Sequence, residues 1–141
     1  MIKEIAAWIL NHPGLPWTLD VNFFVGQLPM KNINEDSAPV RVMAVLERVP
    51  SPVVGDLPDY ADKRIQIWNR NVSYFQAKED ADQIFAILHG ATGWVLPVVV
   101  SPSDFYAWTI DADATPAPIA NPNIKGYYEF STNYLARISS P

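Results

Sequence analysis

The sequence predicts a single α/β domain of the α+β type, in which a mainly antiparallel, twisted sheet is packed by two helices. Three observations predict this class. The 141 residues fit one domain, residues 1–141, around one core. Two stretches repeat apolar residues at helical spacing. Several others alternate apolar and polar residues in the manner of strands.

The first helix is predicted at the start of the chain, where Ile2, Ile5 and Ile9 recur at helical spacing. The run His12-Pro13-Gly14 ends this pattern, because proline and glycine interrupt a helix. Trp8 is expected toward the margin of the buried side.

The second helix is predicted to begin after Ser73 and to end at Gly90. Ser73 stands three residues before Gln76, the spacing at which a hydroxyl and an amide satisfy each other's backbone donors. The apolar stripe that should cover the sheet comprises Tyr74, Ala77, Ala81, Ile84, Phe85 and Leu88.

Strands are predicted wherever β-branched and aromatic residues alternate between turn signals. The predicted strands are Val21–Leu28, Val40–Val49, a strand from Arg64 that leads into the second helix, Gly93–Val100, Tyr106–Ala112 and Gly126–Ile138. Gly93–Val100 is expected to be short and buried. Trp108 and Ile110 are expected on one side of their strand. Ala114–Asn123 is predicted to be a proline-rich connection.

One strand and the loop after it are predicted to form a contact surface. Val40–Val49 carries apolar residues on both faces, which suggests a central or partner-covered position. Ser51–Lys63 contains two prolines, one glycine and three aspartates and is predicted to be a loop that contacts a neighbour. The candidate contact residues are Val40, Val42, Met43, Val45, Val53, Val54, Asp56, Leu57, Asp59 and Tyr60.

Composition excludes several classes of function. Without cysteine the chain has no disulfide, thiolate nucleophile or cysteine-type zinc site, which fits a reducing cytosol. A net charge of −5 argues against a general nucleic-acid binder, because an acidic surface repels phosphate. No stretch reaches the roughly 20 apolar residues that cross a bilayer, and no secretory signal is recognised, so a soluble protein is expected.

The polar residues do not form a catalytic, cofactor-binding or metal-binding motif. His12 and His89 each stand at a predicted helix C-terminus, where an imidazolium can bond free carbonyls. Asp111 and Asp113 have a spacing found in cation sites but lack the glycine and terminal glutamate of a calcium loop. Both aspartates are therefore interpreted as solvated, and the aromatic residues are assigned to the core or to a protein interface.

The order of a strand with IWNRN, a helix ending in ILHG and a late strand YYEFSTNYLARI resembles the tail terminator or minor capsid (tail completion) proteins of long-tailed bacteriophages. The resemblance covers the second half of the chain, and the first half only through element order and length. Ala114–Asn123 departs from the pattern. The residues that match the family pattern are Trp68, Arg70, Leu88, Gly90, Phe130, Asn133 and Tyr134.

The resemblance implies a structural virion protein without enzymatic activity or cofactor. Such a subunit forms a hexameric ring on the finished tail tube, stops tube polymerisation and joins the tail to the head connector. The implied partners are copies of itself, the tail-tube protein and the head–tail connector proteins, while DNA only passes through the channel and no membrane is involved. The implied location is the tail–neck region of the virion, after assembly in the host cytoplasm.

Three alternatives to this interpretation remain open. A head-completion or head–tail joining protein has similar size and ring symmetry. A small carboxylate-based hydrolase would use Asp111, Asp113 or Glu129. A nonviral binding module would use an aromatic-rich groove.

Overall fold

The computed structural model describes residues 2–28, 39–48, 60–99, 105–119 and 126–139. These residues form helices α1 (Ile2–Leu10) and α2 (Tyr74–Leu88). They also form strands β1 (Phe23–Val25), β2 (Val42–Glu47), β3 (Tyr60–Asn71), β4 (Ala91–Val95), β5 (Tyr106–Ala112), β6 (Ala117–Pro118) and β7 (Tyr128–Ser139). Within these ranges, neither helix is long and apolar enough to cross a membrane.

The strands join one sheet in the order β1-β2-β3-β7-β5-β4, and β6 also pairs with β7. All neighbours are antiparallel except β1 and β2, which are parallel. The two longest strands, β3 and β7, pair along their whole length from Tyr60 opposite Ser139 to Asn71 opposite Tyr128. The prediction of a mainly antiparallel sheet packed by two helices is confirmed.

Both helices cover the same face of the sheet, which we call the helix face. Helix α1 packs on β1 and β2, while α2 packs on β3, β5 and β7. The main core between helices and sheet includes Ile5, Ile9, Met43, Val45, Ile65, Ile67, Ile84, Leu88, Ile110, Tyr134 and Ala136. On the opposite face, the second face, a smaller cluster joins Val42, Ala44 and Trp68.

Helix α1 forms where predicted, and its end is bonded as expected. The Nδ1 of His12 donates to the carbonyl oxygen of Trp8 over 2.8 Å, which satisfies a carbonyl of the last turn. Trp8 is buried and not at the margin, because its ring packs on Trp94 with centroids 5.7 Å apart.

Helix α2 has half of the predicted capping box. The Ser73 hydroxyl accepts from the backbone N–H of Gln76 over 3.4 Å. The Gln76 side chain does not return to Ser73 but donates to Asp80 over 3.1 Å, one turn along the helix. At the other end, Gly90 has a φ of +78°, which glycine adopts without steric cost.

Three predicted strand boundaries are wrong. Strand β1 is three residues long because a turn at Thr18, whose carbonyl oxygen accepts from three following N–H groups, delays it to Phe23. Strand β3 begins at Tyr60, so Tyr60–Lys63 belongs to the sheet and not to a loop. Strand β4 begins at Ala91 and ends before Pro97, and its residues after Ala91 are exposed because it is an outer strand in the described sheet.

Strand β5 has the predicted bounds but contains a bulge. The register against β7 shifts between Ala107 and Thr109, so Trp108 is the extra residue of the bulge. The shift lets Ala107 and Ile110 both face the core, while the Trp108 indole donates to the Ser139 hydroxyl over 3.0 Å and stays largely exposed. The prediction that Trp108 shares a face with Ile110 is therefore wrong.

The proline-rich connection after β5 is partly ordered into the sheet. Ala117 and Pro118 pair with the start of β7, and the N–H of Ile119 donates to the carbonyl oxygen of Glu129 over 2.8 Å. Residues 120–123 of the predicted connection lie outside the described ranges. A proline takes part because β6 is too short to need a full ladder of donors.

The sheet curls around α1. Strands β1 and β4 stand at the two ends of the strand order, yet Trp94 of β4 and Val25 of β1 both pack toward this helix. Val99, just beyond β4, lines the same groove as Val25. The short helix α1 therefore lies between the two outer strands, β1 and β4.

Candidate functional site

The predicted contact surface is only partly on the surface. Val42, Met43 and Val45 have none of their area exposed, so their prediction as interface residues is wrong. Strand β2 has apolar residues on both faces because it is central in the sheet, where each face is covered by other parts of the same chain. Val40 is 37% exposed and remains available to a partner.

Most of the predicted contact loop lies outside the described residues. These positions are Val53, Val54, Asp56, Leu57 and Asp59. The last predicted residue, Tyr60, is half-buried at the start of β3.

The start of α2 presents an aromatic protrusion, the α2 knob, composed of Val72, Tyr74 and Phe75. Phe75 is 79% exposed, the largest fraction among the exposed large hydrophobic residues of the described ranges. Tyr74 supports it from below, because its ring packs edge-on to Phe75 at 5.5 Å and tilted against Phe130 at 5.4 Å. The knob is thus an exposed apolar group on a rigid base.

The α2 knob was not predicted, because helical periodicity identifies the buried stripe and not the exposed side. Phe75 lies two positions before Ala77, which places it on the side of α2 directed away from the sheet. A large aromatic residue on the polar side of an amphipathic helix is the signal that would have identified it.

A second apolar surface lies along the outer strand β4. Trp94, Val95 and Val98 are exposed there, and we call these residues the β4 surface. Among the described strands, β4 pairs on one side only, with β5. Exposed apolar residues on an outer strand are typical of a surface that a partner covers.

A groove runs along α1, and we call it the α1 groove. Its volume is about 410 Å³. The small residues Ala6 and Ala7 line it. It is also lined by one cationic residue, Lys3, and one anionic residue, Asp20. The described residues that line it are Lys3, Ala6, Ala7, Leu10, Leu19, Asp20, Val25 and Val99.

Two of the family-pattern residues, Trp68 and Arg70, lie on the second face. The Arg70 guanidinium is buried, with its carbon 5.8 Å from the Trp68 ring centroid and 5.2 Å from that of Tyr127. It also donates to the carbonyl oxygen of Pro39 over 3.0 Å. Arg70 thus ties β3 to the segment before β2 and to the start of β7, which is a structural role.

The other family-pattern residues serve the fold. Leu88 of α2 and Phe130 and Tyr134 of β7 are buried between helix and sheet. The N–H of Gly90 donates to the carbonyl oxygen of Ile110 over 2.8 Å and joins the end of α2 to β5. Asn133 pairs with Gln66 across the centre of the sheet.

A partly buried ion pair fixes α2 to the sheet. The Arg41 guanidinium donates two hydrogen bonds to Asp80, of 2.6 and 3.0 Å, and its carbon lies 5.4 Å from the Trp17 ring centroid. The hydrogen bond with Asp80 raises the pKa of Arg41, so the guanidinium stays charged. The apolar stripe predicted for α2 does not include Asp80, yet Asp80 is buried and bonds Arg41.

His89 is the C-cap residue of α2, as predicted, and its backbone N–H donates to the carbonyl oxygen of Phe85 over 2.9 Å. Its side chain bonds outside the helix, because Nδ1 accepts a hydrogen bond from the backbone N–H of Ala112 over 3.0 Å. Its ring stacks on Phe85 with centroids 4.9 Å apart. The His89 side chain therefore joins α2 to β5, and the prediction that its imidazole bonds a helix carbonyl is wrong.

Glu129 is not brought together with the two aspartates considered for catalysis, Asp111 and Asp113. Asp113 pairs with Arg64 over 3.3 Å, and Asp111 stands opposite Leu135 of β7. Glu129 stands opposite Arg70 near the other end of β7. Six residues of strand separate positions 129 and 135, about 20 Å at 3.3 Å per residue. Within the described ranges, no group of three acidic or histidine side chains is arranged to hold a metal ion.

Comparison with known proteins adds no assignment to this geometry. No protein family matches the chain, and no curated protein matches it with significant similarity. The residues and their surfaces therefore carry the functional argument.

Proposed function

We propose that this chain is a structural virion protein, a tail terminator of long-tailed bacteriophages. It assembles into a homo-oligomeric ring, a hexamer, on the end of the tail tube. The sequence pattern around Trp68, Arg70 and Gly90 supports the family. The observation that carries the proposal is the presence of separate apolar surfaces on one small domain, namely the α2 knob, the β4 surface and the α1 groove.

Separate surfaces of this kind suit a ring. In a heterologous interface, one patch on each subunit meets a different patch on the next, and a fixed rotation closes the ring. A monomer that works alone gains nothing from a phenylalanine that is 79% exposed. Burying such a side chain at an interface stabilises the assembly by about 1.5–3 kcal/mol.

The ring acts by occupying the site where the next tube subunit would add. One of its faces binds the tail-tube protein and stops polymerisation, and the other face receives the head–tail connector proteins. The net charge of −5 suits a neck through which DNA passes without binding. Assembly takes place in the host cytoplasm, and the finished ring stays in the tail–neck region of the virion.

The mass of the purified chain in solution, measured with and without tail-tube subunits, tests the proposal. We expect a ring containing a whole number of 15.8 kDa chains, six for a hexamer, at least when tube subunits are present. A chain that stays monomeric under both conditions contradicts the proposal. Binding to DNA-filled heads but not to tubes would instead identify a head-completion protein.

A further inference from the structure

We propose that the ring contact is formed by the α2 knob of one copy inserted into the α1 groove of the next. This inference rests on the proposed ring and names the surfaces that build it. Three features of the described residues support it: the exposure of Phe75, the shape of the groove, and a match of charge and spacing between the two helices.

Phe75 is 79% exposed and is left uncovered by the described residues. Its ring lies on the side of α2 directed away from the sheet, and among the described aromatic rings it packs against that of Tyr74. Because Tyr74 is held by Phe130 and Tyr128, the protrusion keeps a fixed direction. A rigid aromatic side chain loses little conformational entropy on binding and is a common anchor of interfaces.

The α1 groove has the dimensions and lining of a receptor for such an anchor. Ala6 and Ala7 leave the surface of α1 low, and Leu10, Leu19 and Val25 add apolar walls. A volume of about 410 Å³ accommodates an aromatic side chain together with part of its helix. Helices that dock in grooves place large residues of one element over small residues of the other.

Charge and spacing fix the direction of docking. Lys3 precedes Ala7 by four residues on α1, and Glu79 follows Phe75 by four residues on the outer side of α2. At 1.5 Å per residue both separations are about 6 Å. When α2 of the neighbour runs antiparallel to α1, Phe75 lies over Ala7 and Glu79 over Lys3. The exposed opposite charges then set the register at the rim of the contact.

The knob and the groove belong to different helices, so the contact is heterologous. Each copy offers one knob and one groove, and a chain of such contacts closes into a ring or continues as a filament. A second copy of this chain is the proposed occupant of the groove. The tail-tube protein, which would use the knob in place of a second copy, is the rival that the experiment must exclude.

A charge exchange tests the contact directly. Lys3→Glu and Glu79→Lys should each raise the concentration at which half of the chain is assembled by about tenfold, because like charges then meet at the rim. The double variant Lys3→Glu/Glu79→Lys restores opposite charges and should assemble nearly as well as the unchanged chain. Glu47→Lys, an exposed reversal of the same type on β2, is the matched control and should have no effect.

The anchor is tested by a second pair of variants. Phe75→Ser should abolish ring formation, while Phe75→Leu keeps an apolar side chain and should retain most of it. Because Phe75 is exposed, both variants should unfold at the temperature of the unchanged chain, which circular dichroism checks.

The outcomes separate this contact from the proposed function. Rings that form normally in both charge variants, or a double variant no better than the singles, overturn the contact and leave the terminator function standing. Normal rings of Phe75→Ser that no longer bind tubes assign the knob to the tube protein and also overturn it. An unchanged chain that never forms a ring contradicts both proposals.

Discussion

At the scale of single residues, the charged groups that this chain buries are held by specific partners. Asp80 accepts two hydrogen bonds from Arg41 and one from Gln76, and Arg70 lies between two aromatic rings. A buried carboxylate that loses its cation keeps its desolvation cost without the compensating attraction. The Arg41–Asp80 pair should therefore contribute more to stability than the exposed pairs do.

We predict that Arg41→Met lowers the free energy of unfolding by about 2 kcal/mol, less than for a fully buried pair because water reaches Arg41. Its side chain is 38% exposed, whereas that of Asp80 is 1% exposed. Lys78→Met, which removes the exposed pair with Asp82, is the control and should cost about 0.5 kcal/mol or less. Urea denaturation measures the free energy of unfolding of both variants. Equal losses would show that the burial of Asp80 does not strengthen its ion pair.

Tyr134 should make the fold sensitive to alkali. Burial raises its pKa above the ordinary 10.0, so its phenol stays protonated in the folded chain while the unfolded chain ionises. The contribution of Tyr134 is complete below pH 10 and is lost as the pH rises through the folded pKa, by up to about 1.4 kcal/mol per pH unit.

The variant Tyr134→Phe lacks this ionisable group. We expect its free energy of unfolding to fall less between pH 8 and pH 11 than that of the unchanged chain, as measured by denaturation at each pH. An identical fall in the two proteins would show that the Tyr134 phenol does not carry the effect.

Residue roles were only partly predictable, because a sequence pattern does not reveal partners that are distant in the same chain. The bond of His12 to its own helix was predicted, since donor and acceptor are four residues apart. His89 bonds to Ala112, 23 residues away, and this partner depends on the sheet. The burial of Asp80 was not predicted for the same reason, because its partner Arg41 lies 39 residues before it.

At the scale of elements, both helices and β5 form close to their predicted bounds, because periodicity and caps are local signals. The bulge at Trp108 was not predictable from alternation, since it reflects the fit of β5 to β7. The burial of β4 was predicted wrongly for a related reason. Its apolar run is typical of a buried strand, yet the strand order leaves it at the outside of the described sheet.

The end of α2 gives a prediction at this scale. Gly90→Ala should lower the free energy of unfolding by about 1 kcal/mol and Gly90→Val by more, because a φ of +78° brings a Cβ against the carbonyl oxygen. Gly90→Asn is the control and should cost least, since asparagine adopts this conformation more readily. Thermal unfolding ranks the three, and equal costs would exclude backbone strain as the cause.

For the whole molecule, the hydrophobic pattern of the sequence predicted the fold class but did not predict the exposed apolar surfaces. The two-sided apolar character of β2 was interpreted as a partner-covered face, but a central strand of a single chain produces the same pattern. The α2 knob and the α1 groove depend on which residues the fold leaves exposed. The α1 groove combines α1, the turn before β1 and Val99, which lie far apart in the sequence.

The central claim is that copies of this chain form a ring that ends the tail tube. Its most direct test is to polymerise tail-tube protein with and without the purified chain and to measure tube lengths and ends by electron microscopy. We expect that growth stops and that one ring of density lies at the end of each tube. Tubes with an unchanged length distribution and bare ends would contradict it.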